Sequence, residues 1–235
     1  KTVALVQSFY PHPNHSLMEV LFAASNARDL NASKVILVAP YLAYLREDKR
    51  VIKGECVSSK IIGDLLSKNF DAILTVEPHL HRDNLDKLFT IPVYGIDISS
   101  LLVNYTKENF RDCVIIGADR ESYKLVNKLS LNPIILDKKR KDSFNVSVSG
   151  SYKIPEGKEV LIVDDIISTG SSMIEAIKFL KLKNVNCLAV HAAMIGGALR
   201  ELEKYSNKII TTNTISNETN EIDVSNLIAK KLLEI

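Results

Sequence analysis

The fold is decided by one stretch, VLIVDDIISTGSSM at residues 160–173. Val160 to Val163 are apolar and β-branched or aliphatic, as in a strand buried on both faces. The run ends in two acids, Asp164 and Asp165. A turn with Ser168, Thr169, Gly170, Ser171 and Ser172 follows, and helical spacing begins at once, with apolar Met173, Ala176, Ile177 and Leu180. Strand, tight hydroxyl-rich turn and helix make half of a βαβ unit. Backbone N–H groups and hydroxyls at a helix N-terminus form a cradle for phosphate. Gly170 permits the positive φ and close approach that such a cradle needs. Two carboxylates at the strand end suit the cis-diol of a ribose, directly or through Mg²⁺. Helix capping is the plain alternative for these residues, but a cap needs one of them, not this whole set.

The same alternation runs outward in both directions. Upstream lie strand patterns VALVQ (3–7), KVILVAP (34–40), DAILTVEP (71–78), IPVYGID (91–97), CVIIGA (113–118) and NPIILD (132–137). Helical spacing covers 16–30, 57–68 and 121–129. Downstream lie CLAVHAA (187–193), KIITTNTI (208–215) and a final helix over 224–233. Strands alternating with helices predict an α/β fold with mostly parallel sheets flanked by helices. The pattern restarts near residue 100, which predicts two similar domains, 1–98 and 99–222. Helix 223–235 is expected to pack back on the first. The polar stretch 138–157 has no helical period and reads as a hairpin or linker.

Composition sets limits. The chain has 235 residues, 46% apolar and 25% charged, with a net charge of +2. Chains of this length bury roughly 70–75% of their unfolded surface, so they need no covalent staple. A charge of +2 without aromatic interleaving excludes a nucleic-acid-binding reading of the KKRK cluster at 138–141. Cys56, Cys113 and Cys187 are scattered and odd in number, which argues against a disulfide framework and for a reducing compartment. No apolar stretch is long enough to span a bilayer, and residues 1–15 carry no signal-peptide pattern. The expectation is a cytoplasmic protein with no membrane partner.

The 164–172 turn resembles the ribose-5-phosphate loop of the phosphoribosyltransferase fold. Other segments narrow the likeness to ribose-phosphate diphosphokinases, also called phosphoribosyl pyrophosphate synthetases. PNHSLMEVLF (13–22) is similar to the family's N-D-x-L-M-E-L-L, with His15 in place of Asp. APYLAYLREDKR (39–50) is similar to its ATP-binding P-Y-x-x-Y-A-R-Q-D-R. TVEPHLH (75–81) resembles V-D-L-H, and ILDKKR (135–140) resembles the E-K-x-R that opens the catalytic loop. The forms VEPH and IISTG look more archaeal than bacterial.

The resemblance implies two phosphoribosyltransferase-type domains and a Mg²⁺-dependent enzyme. It would move the diphosphoryl group of ATP to the C1 hydroxyl of ribose 5-phosphate, releasing AMP. It implies Lys138, Arg140 and His79 as catalytic residues, and Arg46, Glu47, Asp48 and His79 as ATP contacts. His79 and Asp119 would be metal contacts. Asp164, Asp165, Ser168, Thr169, Gly170, Ser171 and Ser172 would hold ribose 5-phosphate, and the protein would be a homo-oligomer, dimer or higher. Read alone, His79 and His81 would be surface histidines, and His191, in an apolar run, a satisfied core histidine.

Departures are plain. Ser168 stands where the family has Asp, Arg120–Glu121 where it has Gly-Gly, and Glu47 where it has Gln. Residues 1–16 hold no match to the F-P-D-G-E loop that holds adenine, so the first domain is expected to lack its first strand–helix–strand unit. These departures motivate a rival, a catalytically silent regulatory or scaffolding paralogue. A phosphoribosyltransferase that consumes the diphosphate product is a third reading, opposed by the two domains and by PYLAYLRED.

Overall fold

The computed structural model describes residues 1–50, 52–78, 85–119, 122–130, 134–140, 146–149 and 154–235, without the side chains of 137–140 and 146–149. The chain divides into two units, Lys1–Asp97 with Ser225–Ile235, and Ile98–Val224.

In the first unit, β1 (Thr2–Val6), β2 (Lys34–Ala39), β3 (Ala72–Val76) and β4 (Val93–Ile96) form one parallel sheet in chain order. The helices are α1 (Pro13–Asp29), α2 (Ser58–Asn69), the short α3 (Leu85–Leu88) and α8 (Ser225–Leu233). KVILVA and AILTV are continuous apolar runs, and both strands are buried almost throughout, as parallel strands covered on two faces must be. Phe9, Val35, Leu37, Leu45, Leu66 and Ile73 form the centre of this core. Each such side chain contributes about 1.5–3 kcal/mol when fully buried. Helix α1 starts three residues before the expected Ser16, because Pro13 occupies its first turn with φ already set. Helix α3 has no counterpart in the sequence pattern; four residues are too few for a periodic signal.

Asp71 ties this unit together just before β3. Its Oδ2 accepts the Val35 N–H at 2.5 Å and an Arg28 Nη2 hydrogen at 2.6 Å. Burial pushes the Asp71 carboxyl up, but the Val35 N–H, the Arg28 guanidinium and the Lys34 charge outweigh it and hold it below the usual range. A carboxyl lowered by folding stabilises above its unfolded value of about 3.9, and that contribution is lost as pH falls through the folded value. Arg28 and Asp71 are 37% and 38% exposed, so the contribution stays under about 1 kcal/mol. Asp71→Asn is therefore expected to lower Tm by about 2 °C at pH 7 and by progressively less towards about pH 3. Thermal melts across that range check this; a constant gap would mean the charge plays no part.

The second unit holds β5 (Val114–Gly117), β6 (Ile134–Ile135), β9 (Val160–Ile167), β10 (Val185–Ala192), β11 (Lys208–Thr212) and β12 (Asn220–Ile222). They form a parallel sheet in the order β12-β11-β10-β9-β5-β6. Its helices are α4 (Ser99–Asn109), α5 (Tyr123–Leu129), α6 (Ser171–Leu180) and α7 (Ala198–Leu202). Ile116, Leu136, Val160, Ile162, Val185 and Leu202 lie at the centre of its core. The polar stretch after residue 136 is a hairpin in part: β7 (Asp137–Arg140) pairs antiparallel with β8 (Val146–Ser149), Lys138 opposite Val148 and Arg140 opposite Val146. Among the described residues no helix is long and apolar enough to cross a membrane.

Strand order also sets where a ligand can sit. From β5 the chain adds β6 on one side, then returns to add β9 on the other. That reversal opens a crevice beyond the carboxyl ends of β5 and β9, where open α/β sheets hold their ligands.

Candidate active site

Three carboxylates sit at the reversal. Asp119 follows β5, and Asp164 and Asp165 lie near the end of β9. Strand β5 brings Asp119 in through a close approach of backbone and side chain. A Cβ on Gly117 would stand 2.5 Å from Ser122 Oγ and 2.8 Å from Ile135 Cδ1. Only glycine at 117 lets Ser122 pack this close to β5. The Ser122 N–H donates to Asp119 Oδ1 at 3.2 Å and the Ser122 hydroxyl donates to Asp119 O at 2.7 Å. Ser122 is fully buried. Nothing in the sequence singles it out; a Ser three residues after a strand-end Asp is an ordinary turn pattern.

Asp164 is 6% exposed and accepts the Asp165 N–H at 3.0 Å. Burial first, then the charges of Asp165 and Asp119, push its carboxyl well above the usual range. Three mutually repelling acids in a crevice favour whatever brings positive charge or hydroxyl donors to them. Oxygen-only donors suit a hard cation such as Mg²⁺, which takes one or two carboxylates and keeps waters or phosphate oxygens for the rest. Among the described residues no three acids, histidines or cysteines stand close enough together to hold a metal ion by themselves.

Past β9 the chain makes its hydroxyl-lined turn. Gly170 stands at the N-cap of α6 with φ 74°, so the N-cap residue itself has no side chain to cap the helix. The Thr169 hydroxyl does part of the capping, accepting the Ser171 N–H at 3.5 Å; a cap of that kind uses one hydroxyl of the set. Thr169 Oγ1 and Ser171 Oγ lie 2.8 Å apart, and both residues are exposed. Helix α6 has ten residues, so its N-terminal N–H groups and dipole face the crevice mouth with hydroxyls around them. A second segment braces the turn: the Ile195 N–H donates to Ser168 O at 2.8 Å, and the Met194 N–H to Ile167 O at 3.0 Å.

Comparison with known proteins places this geometry. Residues 1–69 match the model of the N-terminal domain of ribose phosphate pyrophosphokinase, and residues 84–227 match the phosphoribosyl transferase domain. The ribose-phosphate pyrophosphokinase of Sulfolobus acidocaldarius is 35% identical over 98% of this chain and 83% of its own. The chain belongs to the ribose-phosphate pyrophosphokinase family. The enzyme of that name from Methanobrevibacter smithii is 30% identical over 98% of this chain and 84% of its own. A phosphoribosylpyrophosphate synthetase from Mycobacterium smegmatis has the same fold, with a TM-score of 0.83 at 24% identity, over 98% of this chain and 80% of that one. The expected fold of two phosphoribosyltransferase-type halves with parallel sheets is thus confirmed, as is the archaeal character of the relatives.

The remaining expected residues of the pyrophosphokinase site divide by unit. Arg46, Glu47 and Asp48 lie in the loop at the carboxyl end of β2. Arg46 and Glu47 are exposed, and Ser58 Oγ donates to Glu47 Oε2 at 3.4 Å. Asp48 is only 4% exposed, so it faces into the loop rather than out with its two neighbours. Tyr44 packs partly against the core and donates its hydroxyl to Asn14 Oδ1. His79, Arg120 and Glu121 lie outside the described residues. So do the side chains of Lys138 and Arg140, whose backbones form β7.

Proposed function

We propose that this family member transfers the diphosphoryl group of ATP to ribose 5-phosphate, giving phosphoribosyl pyrophosphate and AMP with Mg²⁺. The reading is carried by one observation: paired carboxylates and a hydroxyl-lined helix N-terminus share the crevice at the strand-order reversal. The helix end and the hydroxyls of Ser168, Thr169, Ser171 and Ser172 suit the 5-phosphate. Asp164 and Asp165 suit the ribose hydroxyls. The C1 hydroxyl oxygen attacks the β-phosphorus of ATP, the bond to the bridging α–β oxygen breaks, AMP leaves, and the hydroxyl proton is released. Arg46, Glu47 and Asp48 would bind ATP, with Arg46 clamping phosphate in two-pronged fashion. Lys138 and Arg140 would close over the triphosphate and meet the charge that builds on it. Asp119 and His79 would hold Mg²⁺, which neutralises phosphate charge when bound. The reading includes a homo-oligomer in the cytoplasm.

An assay of AMP release that depends strictly on ribose 5-phosphate tests it; no release by the full chain overturns it. The substitutions at Ser168 and at Arg120–Glu121 favour one rival, a catalytically silent paralogue. Ribose 5-phosphate binding without turnover would select that rival. Asp165→Asn keeps shape but halves the diol-binding charge. It is expected to raise KM for ribose 5-phosphate about tenfold with KM for ATP unchanged. Steady-state kinetics with each substrate varied in turn would show it, and an unchanged KM for the sugar would remove Asp165 from this role.

A further inference from the structure

We infer that His191 and Thr214 are positioning residues for the 168–172 loop, setting its affinity for ribose 5-phosphate without touching that ligand. The inference rests on the proposed reading of that loop. His191 is the penultimate residue of β10, 1% exposed, and pairs with Ile166 of β9. An imidazole in so apolar a place needs hydrogen-bond partners. Its Nδ1 lies 2.9 Å from Thr214 Oγ1.

Thr214 is itself held. Its N–H donates to Thr212 Oγ1 at 3.2 Å, and the Thr212 hydroxyl donates at 2.8 Å to the carbonyl of Val190, the residue before His191. A closed ring of bonds thus joins the end of β10 to the turn after β11. The turn is anchored further on. The Val224 N–H donates to Asn213 Oδ1 at 2.9 Å, and Asn220 Nδ2 donates to Thr212 O at 2.7 Å. Everything in the ring is buried, so its geometry is fixed by packing as well as by bonds.

The residues just after His191 carry this order to the loop. Met194 and Ile195 supply the two N–H donors that fix Ile167 O and Ser168 O. Met194 has φ 46°, and Gly196 and Gly197 have φ 65° and 82°. A methionine in the left-handed region persists only where its surroundings hold it there. Those surroundings are the Ala192–Ile167 pairing and the His191–Thr214 clamp beside it. Without the clamp, the bracing segment can relax, and Ser168 and the turn after it lose their fixed place. A clamp that served stability alone would leave ligand affinity untouched.

Calorimetric titration of the full chain with ribose 5-phosphate separates these cases. Thr214→Val removes the hydroxyl at constant shape and is expected to weaken binding about tenfold, with KM for ATP unchanged. Thr214→Ser keeps the hydroxyl and is expected to restore wild-type affinity. Binding by Thr214→Val as tight as wild type, even with a lower Tm, overturns the inference and leaves the loop reading intact. No binding by the wild-type chain overturns the loop reading, and this inference with it. If Thr214→Val does not fold, His191→Gln takes its place. It keeps a polar side chain of similar length but offers nothing where Nδ1 stood, and the same outcomes decide.

Discussion

Lys138→Ala is expected to lower kcat about 10³-fold while KM for both substrates stays within about threefold. The expectation rests on the proposed role of Lys138, which matches the family's catalytic-loop lysine. Lys138 lies in β7, one arm of a two-stranded ribbon that belongs to neither main sheet. A ribbon of eight paired residues is marginal on its own, and on the proposed reading it closes over the triphosphate of ATP. A cation delivered that way meets charge chiefly in the transition state, and its loss shows in turnover rather than in substrate binding. Lys139→Ala, at the next residue of the strand, is the control. An unchanged kcat in Lys138→Ala would remove the residue from the mechanism. Equal losses in both variants would mean that the ribbon needs only general positive charge.

Gly63→Ala is expected to destabilise the first unit by about 3 kcal/mol or more. Intrinsic preference points the other way, because alanine in a helix interior is better than glycine by about 1 kcal/mol. The sign of the change is therefore the test. A Cβ on Gly63 of α2 would fall on the Leu88 carbonyl oxygen and stand 2.9 Å from the Leu88 carbonyl carbon. These are backbone atoms of α3, and Leu88 and Phe89 are buried in the core, so they cannot swing aside like a side-chain end. Denaturant titration followed by circular dichroism reads the effect. A midpoint raised by the substitution would show that α3 yields freely.

Much of the fold is legible in the sequence where burial on both faces imposes one pattern. β2, β3 and β9 stand out as apolar runs, and α2 and α6 keep one clear apolar stripe. Helix α4 gives no such stripe because Leu101, Leu102 and Val103 crowd together, and only Leu102 and Thr106 are buried along its length. Strand β12 has three residues and depends on pairing with Thr211 and Thr212, a contact no local pattern announces. The α7 helix is one turn long and follows two left-handed glycines. At the site, Asp164, Asp165 and the 168–172 turn are legible because strand end, glycine and hydroxyls are consecutive. The reversal of strand order that turns them into a crevice is a property of the whole sheet. Ser122 and Gly117 matter through close packing, and a single sequence carries no sign of that.

Helix α8 belongs to the first unit although the whole second unit precedes it in the chain. Its Lys231 Nζ stands 5.0 Å from the centre of the Tyr94 ring, and Lys34 Nζ donates to Ile235 O at 2.7 Å. On the ribosome, then, the unit that begins first is completed second. Its four strands emerge and must wait, with the β4 side uncovered, while some 130 further residues are made. At about 5–20 residues per second that wait lasts roughly 6–25 s. During it the nascent sheet is the species that a chaperone or a protease would meet.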